Sequence, residues 1–350
     1  MKNFAIRLCH FAVLTLAWTP IGRAWDYEGH RLINQLALDS LPENFPAFVR
    51  TATARERIGF LGGEADRWRN TPDPALKHCN GPDHYFDIDY LDDYKLEVGQ
   101  ISPFRYEFTA QLIAGRAANP QNFQPIDPLK DSDKTKSLIG FLPWTITEYQ
   151  GRLKSAFSYL KEYESAGQPE EITNAQENIL YIMGVMGHFV GDAAQPLHTT
   201  KHHHGWVGAN PKGYSTNYSI HSWIDGGYIQ QFGVSADKLH GKLRSAKLVS
   251  TAGVPVAPTD MFVAVMAYLD QQFQQVEPLY QLEKAGKLSG HRELSQEGHD
   301  FITSQIRKAS QMLGDMWLTA WKQAPPDMFL RSALMKRKAA DEQRLEHPGK

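Results

Sequence analysis

The residues with the clearest chemistry lie in one short segment, 188–198 (HFVGDAAQPLH). His188 and Asp192 are four positions apart, so on a helix both side chains project from one face. Pro196 disfavours helix at Gln195, so the helix stops there and His198 approaches the pair from the side. Imidazole and carboxylate together suit zinc. A second pair, His221 and Asp225, repeats the four-residue spacing in the segment 220–225 (IHSWID). Any one His–Asp pair is more often a cap or a surface contact than a ligand pair. Two pairs and a flanking histidine together point to metal. His188 also sits among Met183, Val185, Met186, Phe189 and Val190, and a buried imidazole and carboxylate there need partners that a metal supplies.

The elements that must hold these residues read as helices. Apolar residues recur at three-to-four spacing over 29–50, 145–164 and 171–195, and again over 219–232, 259–283 and 293–322. A further helix is expected at 327–345. Alternating strand-like runs are scarce, the best being 84–90 (HYFDIDY). Residues 119–144, rich in Pro, Asp and Lys, and residues 199–218, with His, Gly, Asn and Lys, read as loops. No repeat period and no domain boundary stand out, so the expectation is an all-α protein. Its parts would be a single helical domain over 25–326 and a polar C-terminal tail over 327–350.

Composition agrees with an ordinary globular chain. The 350 residues are 42% hydrophobic and 22% charged, with 37 basic against 39 acidic side chains. That balance excludes a disordered, collagen-like or histone-like protein. Two cysteines exclude a disulfide scaffold and a cysteine-ligated zinc finger. The 14 histidines are the unusual feature, and most of the candidate chemistry falls on them. At the N-terminus, Lys2 and Arg7 precede an apolar run over 9–18 (CHFAVLTLAW), and Gly22-Arg23-Ala24 fits a small-x-small cleavage site. Residues 1–24 therefore read as an export signal. The run is too short for a membrane anchor, which needs ~20 apolar residues. The expected product is periplasmic or secreted, begins at Trp25, and retains Cys79 alone.

From Trp25 the chain reads W-D-Y-E-G-H, placing His30 five residues on. Asp66 follows in EADRWR, then His84 in HYFD, the 188–198 block, and the His221/Asp225 pair. These motifs, in this order over residues 25–228, resemble the S1/P1 nuclease family, which shares a helical fold with zinc-dependent phospholipases C. The resemblance implies three zinc ions in one cleft. Asp66, His84, His188 and Asp192 would hold the first. The amine and carbonyl of Trp25, with His30 and Asp192, would hold the second, so that Asp192 bridges the pair. His198, His221 and Asp225 would hold the third. It further implies hydrolysis of single-stranded DNA, RNA or nucleotides to 5′-phosphorylated products, by a hydroxide bridging the paired zincs. Arg69, three residues after Asp66, matches a family arginine that steadies the transferring phosphoryl group, and Asp87 matches the aspartate that orients it. Arg67 competes for the arginine role. Tyr85, directly after His84, matches an aromatic that stacks a nucleobase. Trp206, Tyr214 and Tyr218 lie between His198 and His221 as further candidates to line the cleft, and His202, His203 and His204, beside a ligand, are loop residues placed to see substrate or a stray metal rather than family ligands.

This sequence departs from the family pattern in its long gap between His84 and His188, which holds the 119–144 segment, and in Ser219-Ile220 before His221. Two rival readings stand beside the nuclease. One is a phospholipase C on the same scaffold, against which the short Trp25–His30 spacing, the long His198–His221 spacing and an aspartate at 225 all argue. The other is a non-catalytic, zinc-stabilised secreted binding protein. The sequence contains no HExxH, GxxxxGK[ST], GxSxG or CxxC signature. It implies no stable protein partner and no transmembrane segment, and a monomer is the expectation.

Overall fold

A computed structural model describes residues 25–346 apart from 252, 253, 256, 258, 259 and 292. The expected export signal lies outside the described residues. The fold is all-α, as the spacing predicts, with a two-residue antiparallel ladder (Ser250–Thr251 against Val254–Pro255) as a minor addition.

Helix α1 spans Tyr27–Ser40 and starts where the Asp26 side chain accepts from the Glu28 backbone N–H at 3.2 Å, the usual work of an N-cap aspartate. It turns Leu32, Ile33, Leu36 and Ala37 inward and stops before Leu41-Pro42. The single helix expected over 29–50 is therefore broken, because Pro42 and Pro46 cannot continue it; only a 3-10 turn, Ala47–Arg50, remains of its second half. Helices α2 (Ala52–Leu61), α3 (Glu64–Arg69), α4 (Pro74–Asn80), α5 (Leu91–Tyr94) and α6 (Arg105–Ala118) follow. The expected strand at 84–90 is reduced to one bridge, Phe86 to Gly140, and residues 88–90 form a 3-10 turn. Residues 119–141 are mostly irregular, as expected, with two short 3-10 turns.

Helix α7 (Leu142–Ala166) begins with Pro143 in its first turn, where the missing N–H costs nothing. Helix α8 (Pro169–Ala194) is started by Pro169 and a capping box between Gln168 and Glu171, and stops at Gln195 before Pro196. Apolar over much of its circumference along the C-terminal half, it is the buried axis of the molecule, packed by α7, α2 and α1. After the 199–219 loop come α9 (Ile220–Ser222), a π turn at Trp223–Gly227, α10 (Tyr228–Phe232) and α11 (Ala236–Leu239). The expected 259–283 helix is two, α12 (Met261–Phe273) and α13 (Val276–Lys284), separated by Gln274 and Gln275. Helix α14 (Gln296–Gln323) packs on α1, α7 and α8. Helix α15 (Met328–Glu346) lies on α7, held by Arg331 to Glu162 at 2.7 Å and Arg337 to Glu171 at 2.7 Å. No helix among the described residues is long and apolar enough to cross a membrane.

Two contacts fix how the site-bearing helices meet. Asn34, one turn beyond His30, donates from Nδ2 to the carbonyls of Ile58 at 2.8 Å and Gly184 at 3.0 Å, tying α1 to α2 and α8. A Cβ at Gly191 would stand 2.8 Å from His30 Nδ1, so only glycine lets α1 lie this close to α8.

Candidate metal centre

The expected ligand residues converge where the C-terminal half of α8 meets α1, α3, the 84–87 segment and the π turn. Three groups of donors have atoms mutually within 4.8 Å: His30, His188 and Asp192; Asp66, His84 and His188; and His198, His221 and Asp225. His188 belongs to two of them.

Helical geometry places each pair. His188 and Asp192, one turn apart on α8, lie 3.3 Å apart (Nε2 to Oδ2). His221 Nε2 and Asp225 Oδ2 lie 2.9 Å apart across the π turn. The break at Pro196 brings His198 back so that its Nδ1 is 3.7 Å from Asp192 Oδ1. Asp192 Oδ1 also faces His30 Nε2 at 3.5 Å, while Oδ2 faces His84 Nδ1 at 3.0 Å. Asp66 Oδ1 reaches to 4.0 Å from His188 Nε2.

The backbone fixes which nitrogen of two histidines keeps a lone pair. His188 Nδ1 can only donate to the Gly62 carbonyl, 2.7 Å away. In the neutral ring Nε2 is then the acceptor; it faces His84 Nδ1 at 2.9 Å. His198 Nδ1 likewise donates to the His84 carbonyl at 2.5 Å, and its Nε2 faces His221 Nε2 at 2.9 Å. Further buried polar atoms make no hydrogen bond: both nitrogens of His30, Asp66 Oδ2, His84 Nε2, Asp192 Oδ1 and Asp225 Oδ2. Converging, desolvated lone pairs repel one another, and a cation between them removes that cost. The donor set and its orphaned atoms therefore fit metal ions.

Charge in the metal-free chain follows from the same crowding. Burial alone would raise the Asp192 carboxyl, yet His188 and His198 beside it hold it well below the usual range. Burial, then neighbouring His188, drives His30 well below its ordinary value. Burial, then the Arg69 charge, lowers His84 to about 4; burial, then His203, lowers His221 to about 3. Burial raises Asp225 and Asp87 well above the carboxylate range. Burial thus disfavours the charged form of His30, His84 and His221, and the neutral ring is the form that binds metal, whereas Asp192 and Asp66 outweigh burial at His188 and raise it.

Trp25 is fully buried beside this cluster. Its indole Nε1 donates to the Gly191 carbonyl at 2.9 Å, one residue before Asp192, and the next residue's backbone, Asp26 N, donates to the Asp225 carbonyl at 3.2 Å. Residues 25 and 26 therefore join the end of α8 to the π turn.

The remaining candidates separate. Arg69 Nη2 lies 2.7 Å from Asp66 Oδ1. Asp87 does not meet Arg69; its buried Oδ1 instead lies 4.0 Å from His203 Nδ1. Arg67 pairs with Glu64 and lies over the rings of Phe60 (4.3 Å) and Tyr27 (5.7 Å), away from the donors, which removes it as the competing arginine. Tyr85 is half-buried, and burial followed by the Asp87 charge raises its phenol. Tyr214 is buried and bonds Glu277, and Trp206 stacks on His202 at 3.9 Å, so neither is free to meet a ligand flat. Tyr218 is exposed and stacks on His204 at 4.2 Å. His203 and His204, expected beside a ligand residue, lie close to His221, with ring centroids at 6.2 and 5.3 Å.

No known family model and no curated protein matches this chain. Among solved structures it is similar to the alpha-toxin of Clostridium perfringens from an avian strain, at 13% identity and a TM-score of 0.36, over 86% of this chain and 64% of the toxin chain. The chain thus spans less than two thirds of that toxin's length.

Proposed function

We propose that this chain is an exported, zinc-dependent phosphoesterase of the S1/P1 nuclease kind, hydrolysing single-stranded DNA or RNA, or nucleotides, to 5′-phosphorylated products. The supporting observation is the division of Asp192 between two sets of imidazoles, with His198 joining it to a third donor group. Asp66, His84, His188 and Asp192 would hold one zinc. His30, Asp192 and a free Trp25 terminus would hold the second, and His198, His221 and Asp225 the third. When bound, the metals supply Lewis-acid polarisation of phosphoryl oxygens and lower the pKa of bound water to about 7.

The protein's own part is positioning. Arg69 keeps one nitrogen on Asp66, and its other N–H groups have no acceptor among the described residues. The fork is thus free to bind two phosphoryl oxygens in parallel, which a lysine cannot do. Asp66 aims that fork, the place the sequence expectation gave to Asp87. Tyr85, half-buried and adjoining His84, would offer its ring to a base. Stacking of this kind contributes ~1–3 kcal/mol per base with little sequence preference. The functional domain in this reading is 25–326, acting as a monomer.

The test is hydrolysis of single-stranded DNA and RNA by the zinc-loaded form starting at Trp25, beside a chelated control and a measured zinc content. Zinc-dependent release of 5′-phosphorylated products supports the proposal. Absence of cleavage by protein holding three zincs overturns it, and choline phospholipids then become the next substrates.

A further inference from the structure

The loop between His198 and His221 folds back on itself. Trp206 N donates to the Ser215 carbonyl at 2.8 Å. Gly205 adopts φ +95°, and a Cβ there would stand 2.5 Å from the Thr216 carbonyl carbon, so the close approach requires glycine. The two arms of the loop thus lie side by side, with His204 next to Gly205 on one arm and Tyr218 on the other. Asn217 fixes the second arm. Its Oδ1 accepts from the Ser219 N–H at 3.0 Å and from the Ser219 hydroxyl at 2.9 Å, a turn that asparagine favours. Its carbonyl accepts from Ile220 N at 3.2 Å, so the turn runs straight into α9 and His221.

The result is a ladder of rings leading outward from the third donor group. The centroids of His198 and His221 lie 4.8 Å apart, and His204 follows His221 at 5.3 Å. Tyr218 lies flat on His204, at 4.2 Å and 7° from parallel. Exposure rises along the ladder: the side chains of Asp225 and His198 are 0% and 2% exposed, that of His221 is 15%, and Tyr218 is 74% exposed. Solvent therefore reaches this donor group past His221, on the side where Tyr218 stands. One face of the Tyr218 ring is spent on His204, and among the described residues no other ring stacks on it. Burial contributes little to a side chain this exposed, yet the turn and the stack hold its orientation against the entropy of a free rotamer. An open aromatic face fixed in advance is the chemistry of a base-stacking platform.

We propose that Tyr218, backed by His204, stacks the base of a nucleotide flanking the scissile phosphate, giving the third donor group a base subsite of its own. The inference rests on the phosphoesterase reading above and deepens it: the chain then favours phosphodiesters carrying a base on that side of the phosphate.

The experiment compares wild type, Tyr218→Ala and Tyr218→Phe, all zinc-loaded, on the dinucleotide TpT and on its two analogues in which one or the other nucleotide is abasic. The ratio of kcat/KM between TpT and one of the two analogues should fall roughly fivefold or more in Tyr218→Ala and be kept in Tyr218→Phe, which retains the ring. A residue that merely staples the loop would lower all three substrates alike and leave both ratios unchanged. Both ratios unchanged in Tyr218→Ala overturn the subsite. Binding of a hydrolysis-resistant phosphorothioate tetranucleotide carrying 2-aminopurine gives a readout without cleavage. Stacking should quench its fluorescence on wild type and Tyr218→Phe, and less on Tyr218→Ala. If wild type cleaves none of the three dinucleotides, the phosphoesterase reading fails, and the quenching alone decides the subsite: equal quenching by wild type and Tyr218→Ala, or none by either, overturns it.

Discussion

The two oxygens of Asp192 face different partners: Oδ1 lies 3.5 Å from His30 Nε2 and 3.7 Å from His198 Nδ1, while Oδ2 lies 3.0 Å from His84 Nδ1 and 3.3 Å from His188 Nε2. One carboxylate thus touches all three donor groups. On the proposed reading, removing it should cost at least one metal, because both ions of the close pair would lose a ligand. Asp192→Asn keeps the shape and removes the charge, so the prediction is a fall in bound zinc of at least one ion per chain. Elemental analysis after gel filtration checks it. An Asp192→Asn protein with a full zinc complement would show that the carboxylate is not shared.

Metal should also be a large part of stability. Buried donors facing one another without hydrogen bonds disfavour the metal-free fold. A ligand that binds only the folded state stabilises it by about 4 kcal/mol at a thousandfold excess over its Kd. Calorimetry with and without chelator should show a clear drop in Tm on zinc removal, and the drop should shrink in His198→Ala, which has fewer donors to fill. Equal Tm values in both conditions would contradict the metal centre.

Gly191→Ala tests the approach of α1 to α8. Its Cβ would press on His30 Nδ1 at 2.8 Å. Overpacking of this kind costs about 1–3 kcal/mol, and here the displaced group is a proposed zinc ligand. The loss of Tm should therefore be greater with zinc than in chelator. A loss of the same size in both would make the contact a matter of packing alone.

What the sequence discloses and what it hides divides along local and tertiary lines. His188/Asp192 is legible because one helical period sets its spacing, and the apolar α8 declares its own burial. His221/Asp225 is legible in spacing, but the π turn over 223–227 is not, since no single residue there demands it. The breaks at Pro42 and Pro46 and at Gln274-Gln275 are masked by apolar periodicity that continues across them. Arg69 is visible as a neighbour of Asp66, yet that it pairs with Asp66 while Asp87 faces His203 is set by tertiary packing. The attachment of the 119–141 segment depends on a pairing between 85–87 and 139–142, a contact with no sequence period to mark it.

Acid should loosen α15 through Glu171. Hydrogen bonds from Arg337 and from the Gln168 backbone hold its carboxyl down to about 2. A carboxyl lowered by folding stabilises the fold above its unfolded value, roughly 4.3, and that contribution is lost as pH falls toward the folded value. The stability difference between wild type and Arg337→Gln should hence be constant above about pH 5 and shrink steadily toward pH 2. Urea titrations of both proteins across that range measure it. A difference that stays flat down to pH 2 would mean the pair contributes nothing through charge.

The position of Trp25 makes the strongest demand on the chain's N-terminus. Its indole is held by the Gly191 carbonyl and its neighbour Asp26 by the Asp225 carbonyl, so the backbone at residue 25 is fixed between the helix carrying Asp192 and the turn carrying Asp225. A backbone nitrogen binds metal only as a free, deprotonated amine, which a peptide bond to a preceding residue abolishes. Protein beginning at Trp25 should hold three zincs. The same protein with an added Met before Trp25 should hold one fewer and lose most of its activity, while its helical content and its chelated Tm stay close to those of the parent. Full zinc content and activity in the Met-extended form would show that His30 and Asp192 hold their ion without the terminus.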